Sequence, residues 1–282
     1  MVSLEEVLKN KLNETELKLI PKSFDIIGSK EKAVAIVEIP EELKQKEKLI
    51  AEAIMKLNKN VKSVLKKVSE RKGELRLREY ELLAGDVNTE VIHKEYGYLL
   101  KLDPQKVYFS PREATERQRI ASQVKENETV LVMFSGIAPF AIAIAKKQPE
   151  VKKVYAIELN DIAHQYAIEN VRINKLGHKI VLILGDVREV CKKYYEKFDR
   201  IVMPLPLGAE NFLDVAIACL KENGIIHFYS WGKEPDLFSN ALKLIEENCK
   251  KLNKKFEILS KRKVLPYKPR TYKICIEFKV QG

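Results

Sequence analysis

The chain has 282 residues, 45% hydrophobic and 32% charged, enough apolar material for one large or two ordinary domains and too much for a disordered chain. Its net charge of +11 favours a polyanionic partner, although a lysine-rich solvated surface would give the same balance. No apolar run is long enough to span a bilayer, and residues 1–6 lack the basic and apolar parts of a signal peptide. Cys191, Cys219, Cys249 and Cys275 form no CxxC pair and have no histidine at ligand spacing, so free thiols in a cytoplasmic setting are expected and a metal site is not.

Residues 3–19 read as one short charged helix. Residues 24–28 and 33–39 read as strands, broken at Gly28 and ended by Pro40. Residues 41–58 carry Leu43, Ile50, Ile54 and Leu57 on one side of a helix. Residues 61–68 and 73–83 read as strands, and 91–102 as a hairpin turning near Gly97. This first part, residues 1–107, is expected to be a smaller α+β domain with an antiparallel sheet.

The pattern changes after it. Pro111 starts a helix over 112–124. From Thr129 strands near Val130, Val154, Val181, Ile201 and Ile225 alternate with helices over 142–147, 162–176, 211–221 and 236–252. Strands over 256–264 and 272–280 follow with no helix between them. Such alternation predicts, over 108–282, a mostly parallel Rossmann-like α/β sheet closed by a C-terminal antiparallel hairpin.

Three strand ends of that sheet carry the chemistry. The strand from Thr129 turns at Gly136, the next ends in Glu158, and the third ends in Asp186. A glycine turn followed about 20 residues later by a carboxylate suits a nucleoside, with the acid on the ribose hydroxyls. A plain turn and two helix N-caps are the structural alternatives. NAD requires glycines that let the backbone meet a pyrophosphate, whereas this turn reads Gly136-Ile-Ala-Pro-Phe140. S-adenosylmethionine has no pyrophosphate, so the site looks like that of a class I methyltransferase. The fourth strand runs into Met203-Pro204-Leu205-Pro206, which offers carbonyl oxygens but no side-chain acceptor, so acid–base chemistry must come from elsewhere. Upstream, Arg112, Glu116 and Arg119 fall near one face of the helix after Pro111; Arg76 and Arg78 share one strand face. Surface ion pairing is the simple alternative for both sets.

His93-Lys-Glu-Tyr-Gly97, Tyr108-Phe-Ser-Pro-Arg112, Ala114-Thr-Glu-Arg117, Phe134-Ser-Gly-Ile-Ala-Pro-Phe140 and Met203-Pro-Leu-Pro206 together resemble the archaeal and eukaryal tRNA guanine-37 N1-methyltransferases, over about 24–278. The resemblance implies transfer of a methyl group from S-adenosylmethionine to N1 of the guanosine 3′ of the anticodon, by a monomer acting on the tRNA anticodon stem-loop. It implies Glu116 as general base and Arg76 as the cation on guanine O6. It places the cofactor on Tyr108, Phe134, Gly136, Pro139, Phe140, Glu158, Leu159, Asn160, Asp186, Val187 and Pro204. Arg112, Pro204, Leu205 and Pro206 would meet the substrate. Guanine N1 is not nucleophilic until its proton leaves, so one base and one cation suffice.

Two features depart from the family pattern. Pro204 stands where many members have Asn, and the chain starts close to the second family domain, so weaker dependence on the tRNA elbow is expected. Rival readings are aminocarboxypropyl transfer in the wybutosine pathway, a bifunctional form that also methylates carbon, and a non-catalytic RNA-binding module. Relatives of the first kind tend to have Ser-x-Gly-Asn where this chain has Ser110-Pro111-Arg112-Glu113. Lys66, Lys67, Lys94, Lys261, Arg262, Lys263, Lys268 and Arg270 are phosphate-contact candidates by clustering.

Overall fold

A computed structural model describes residues 3–68 and 78–282. The chain divides into two compact units, Met1–Pro111 and Arg112–Gly282.

The first unit opens with two helices, α1 (Leu4–Leu8) and α2 (Glu14–Leu19), where one was expected. Each has its own capping box: Ser3 with Glu6, and Asn13 with Glu16, exchange side-chain and backbone hydrogen bonds. The second box restarts the helix at Asn13. Four strands follow: β1 (Asp25–Gly28), β2 (Ala33–Val37), β3 (Val61–Lys67) and β4 (Tyr80–Gly85), in that spatial order. The sheet is mixed rather than antiparallel, because β2 and β3 pair in parallel across the helix α3 (Glu47–Leu57). The reason is legible in β2: Ala33-Val-Ala-Ile-Val37 is buried at every position, the signature of a parallel strand covered on both faces. Leu8, Val37, Ile50, Ile54 and Val64 form the core of this unit. A separate hairpin, β5 (Val91–Glu95) and β6 (Tyr98–Leu102), turns at Tyr96-Gly97.

In the second unit a single 3-10 turn at Pro111–Glu113 leads into α4 (Ala114–Ala121), shorter than the helix expected. The main sheet contains β7 (Thr129–Val132), β8 (Lys153–Glu158), β9 (Ile180–Leu184), β10 (Phe198–Met203), β11 (Leu220–Lys233), β12 (Lys255–Lys268) and β13 (Thr271–Gln281), in the order β12-β13-β11-β10-β7-β8-β9. Its helices are α5 (Pro139–Lys147), α6 (Asp161–Ile173), α7 (Val187–Val190), α8 (Leu213–Cys219) and α9 (Ser239–Lys251). The strands from β11 to β9 run parallel, and β13 is antiparallel to both β11 and β12. Strand order reverses between β7 and β10, so a crevice opens beyond their carboxyl ends. The helix expected over 211–221 stops at Cys219, where β11 begins at Leu220 and goes on to pair with β13 over Ile225–Lys233. No helix among the described residues is long and apolar enough to cross a membrane.

Candidate cofactor and base site

The turn after β7 is built from left-handed residues. Phe134, Gly136 and Ala138 have φ of 53°, 56° and 66°. Such angles cost a non-glycine residue about 1–2 kcal/mol, so two of the three positions carry strain. Ala138 caps α5, and Pro139 takes the first helical position, where its fixed φ and missing N–H are harmless. The Ser135 amide donates to the Ile157 carbonyl at 2.9 Å, tying the turn to β8. A Cβ built on Gly136 would meet nothing within 4 Å, so the backbone faces open space there.

Glu158, at the end of β8, closes onto this turn. Its Oε2 accepts from the Gly136 amide at 2.6 Å and its Oε1 from the Asn160 amide at 2.8 Å. Burial pushes the Glu158 carboxyl up against these backbone donors, which pull it down. A half-buried charge of this kind is favoured by further donors, such as a pair of ribose hydroxyls. Asn160 caps α6 through Oδ1, to the Ile162 and Ala163 amides. Asp186 caps α7 by accepting from the Arg188 amide at 2.6 Å. The cap reading therefore holds for Asp186, while Glu158 instead braces the glycine turn and Asn160 caps α6.

The surroundings are apolar. Leu159 and Leu184 are 41% and 46% exposed at the ends of β8 and β9, and Val187 at the start of α7 is buried. Phe134 meets Phe212 edge-on at 5.0 Å, and Arg188 lies over the other ring of that pair while holding Asp214 at 2.9 Å. Leu184, Phe212 and Arg188 escaped the sequence reading, because only strand pairing sets Leu184 opposite Glu158 and only the fold brings Phe212 and Arg188 to Phe134. The Ser135 hydroxyl is buried without a hydrogen-bond partner among the described residues. Open backbone, a desolvated carboxylate and exposed apolar side chains fit a nucleoside-bearing donor without a pyrophosphate.

The second cluster surrounds Glu116, which is 6% exposed rather than part of a surface ladder. Arg119 holds both its oxygens, Nε to Oε2 at 2.8 Å and Nη2 to Oε1 at 2.7 Å. The Tyr229 hydroxyl donates to Oε1 at 2.6 Å. Arg262 lies 3.8 Å from Oε2 and is half exposed. Tyr229 follows Phe228, which registers with Met203 at the end of β10, so Glu116 is tied to the same sheet edge as the crevice. Phe140, on the helix that follows the glycine turn, meets the Tyr229 ring edge-on at 6.2 Å. Pro204 and Leu205 are half-buried and Pro206 is buried at this edge. Arg112 begins the second unit and is exposed. Tyr108 is half-buried in the first unit. Arg76 lies outside the described residues.

Residues 91–259 match the TRM5/TYW2 methyltransferase domain, and residues 4–89 match the TYW2 N-terminal domain. The chain belongs to the TRM5/TYW2 methyltransferase family. It is 46% identical over 263 residues to the tRNA (guanine(37)-N(1))-methyltransferase Trm5b of Pyrococcus abyssi, covering 93% of this chain and 76% of that relative. The crystal structure of P. abyssi Trm5b matches with a TM-score of 0.86 over 96% of this chain and 79% of that one. The complex of aTrm5 and tRNALeu matches with a TM-score of 0.85 at 40% identity, over 99% of this chain and 78% of that one. TYW2 of P. horikoshii in complex with MeSAdo matches with a TM-score of 0.82 at 29% identity, over 99% of this chain and 98% of that one. The Rossmann-like sheet with an antiparallel C-terminal strand pair, expected from the alternation of elements, is the fold this family member has.

Proposed function

We propose that this chain transfers a methyl group from S-adenosylmethionine to N1 of guanosine 37 in tRNA. The observation that carries this reading is its 46% identity, over 93% of its length, to a P. abyssi enzyme named for that reaction. When bound, S-adenosylmethionine supplies an electrophilic methyl group on a sulfonium.

The chain's own residues do the rest. Glu158 accepts from the ribose hydroxyls, and the Gly136 backbone leaves room for the donor. Leu159, Leu184 and Val187 give the adenine an apolar seat beside Asp186, with Phe134, Pro139, Phe140 and Asn160 shaping the turn. Tyr108 and Pro204 complete the cofactor set by their match to the family motifs. Glu116 takes the proton from guanine N1, and Arg76 holds the charge that develops on O6. Arg112, Pro204, Leu205 and Pro206 receive the base. Arg262 and Lys268 on β12 and Arg270 at its turn are exposed, suited to phosphates. The first unit is read as the tRNA-recognition domain and the second as the methyltransferase domain. The chain is read as a monomer acting in the cytoplasm.

A second reading, aminocarboxypropyl transfer, is favoured by the TYW2 N-terminal match at 4–89 and by the end-to-end match to P. horikoshii TYW2. Ser110-Pro-Arg-Glu113 and the Glu116 pocket speak for methyl transfer. Mass spectrometry of tRNA treated with the protein and S-adenosylmethionine decides. A guanosine at position 37 heavier by one methyl group supports the proposal. An aminocarboxypropylated nucleoside, or no product with cofactor binding intact, refutes it.

A further inference from the structure

Glu116 is one end of a buried polar chain that reaches across the sheet. Arg119 Nη1 also donates to Glu277 Oε1. Glu277, on β13, accepts from Gln123 at 3.0 Å and lies 3.3 Å from His227 Nδ1. His227 Nε2 meets Arg200 Nη1 at 2.8 Å, and Arg200 holds Glu128 through two bonds of 2.8 and 3.0 Å. His227, Cys275 and Glu277 are close enough together to suggest a cation site. The guanidiniums of Arg119 and Arg200 already occupy their ligand atoms and would repel one.

Glu116, Glu277 and Glu128 are three carboxylates facing the buried guanidiniums of Arg119 and Arg200, with half-exposed Arg262 lying 3.8 Å from Glu116. Burial pushes the His227 imidazole below its usual value, with Glu277 pulling the other way. Burial, then the neighbouring Cys275 and Glu116, push the Tyr229 hydroxyl up, so it remains a donor. Burial works against the charge on Glu277, but His227 and Arg119 hold it well below the usual carboxylate range. Burial likewise opposes the charge on Arg119, yet Glu116 and Glu277 outweigh it. Arg119 is shared between Glu116 and Glu277, while Arg200 closes on Glu128.

The two oxygens of Glu116 differ as well. Oε1 accepts from both Arg119 and Tyr229, which uses its two lone pairs. Among the described residues Oε2 accepts a hydrogen bond from Arg119 Nε alone, with half-exposed Arg262 3.8 Å away. We infer that Tyr229, Arg119 and Glu277 are positioning residues for Glu116, holding Oε1 so that Oε2 receives the guanine proton. This rests on the proposed role of Glu116 as base. The groups that face Glu116 are Arg119 on α4, Tyr229 on β11, Arg262 on β12, and Cys275 and Glu277 on β13. Lys273 sits over the Tyr229 ring at 4.7 Å and is closed by Glu113 at 2.9 Å.

The test is single-turnover methylation of a tRNA transcript across pH, with cofactor and tRNA affinities measured alongside. The variants are Tyr229→Phe, Glu277→Gln, Glu116→Gln and the double variant Glu116→Gln/Tyr229→Phe. Tyr229→Phe keeps the ring against Phe140 and removes one donor. Its rate is expected to fall about tenfold at neutral pH, with the acid limb of the profile moved to higher pH and affinities within about twofold. Glu277→Gln is expected to slow the reaction similarly and frees Arg119 to pair with Glu116 alone, moving the acid limb the opposite way. The double variant should be no slower than Glu116→Gln. If Glu116→Gln loses the rate while both partner variants keep the parent profile, the positioning role fails alone. If Glu116→Gln keeps the rate, the base assignment fails and this inference with it. A loss in affinity without a change in profile also overturns it.

Discussion

Glu158→Gln isolates the ribose carboxylate at constant volume. In the parent, Oε2 and Oε1 accept from the Gly136 and Asn160 amides at 2.6 and 2.8 Å. The amide nitrogen of Gln cannot accept, so one of these backbone donors loses its partner, at a cost of about 1–3 kcal/mol. Removal of a charge whose burial is unfavourable offsets part of that. Stability should therefore fall by about 1 kcal/mol, a melting shift of roughly 2–4 °C for a unit of this size. Cofactor binding suffers more. The carboxylate can accept from two ribose hydroxyls, whereas Gln keeps one neutral acceptor and presents a donor in place of the other. One charge-assisted bond is lost and one weakened, together about 2–4 kcal/mol. At 1.4 kcal/mol per tenfold, Kd should rise roughly 30- to 700-fold. Isothermal titration with S-adenosylmethionine and a thermal melt on the same preparation measure both quantities. A Kd within about threefold of the parent refutes the ribose assignment. A melting drop beyond about 10 °C would show that bracing of the glycine turn is the main contribution of Glu158.

Gly136→Ala should cost about 1–2 kcal/mol of stability from its φ of 56° and no steric clash of its own, but a larger loss of cofactor affinity if the open space is the cofactor's; equal effects on melting and titration would argue against that. Cofactor affinity should also fall on acidification, beginning above the ordinary carboxylate value of 4.5, because Glu158 is raised by burial. The sign for stability is the reverse: a raised acid costs the folded state above its folded pKa, and that cost disappears as pH falls through it. A titration series from neutral to mildly acidic pH that leaves Kd flat would contradict the first half. Arg200→Met should destabilise the fold by about 3–5 kcal/mol, since it strands Glu128 without its cation and leaves His227 Nε2 unmet; a denaturant midpoint within error of the parent would disprove this.

The strand-end residues were legible in the sequence because each is set by local chemistry. Gly136 stands where a turn needs positive φ, and Glu158 and Asp186 follow buried apolar runs whose ends must lie along one edge of a parallel sheet. The alternation of strands and helices after Thr129 carried the architecture of the second unit for the same reason. Local rules failed where capping chemistry overrode periodicity, as at Asn13, and where a pairing direction depended on a distant partner, as between β2 and β3.

The surroundings of Glu116 lay beyond the sequence altogether. Its spacing from Arg119 announced an i,i+3 ion pair, which on sequence alone is most often a solvated surface contact. Burial of that pair, the second acid on Arg119 and the hydroxyl on Oε1 come from Glu277 and Tyr229, residues 158 and 113 positions away from their partners. By itself the sequence determined the fold class, the cofactor edge and, through its motifs, the family resemblance, because those depend on turns, strand ends and apolar periodicity. Only the tertiary structure decided which carboxylate lies in a desolvated network and which of its oxygens carries fewer hydrogen bonds, because strands β11 and β13 must pair before their side chains meet α4.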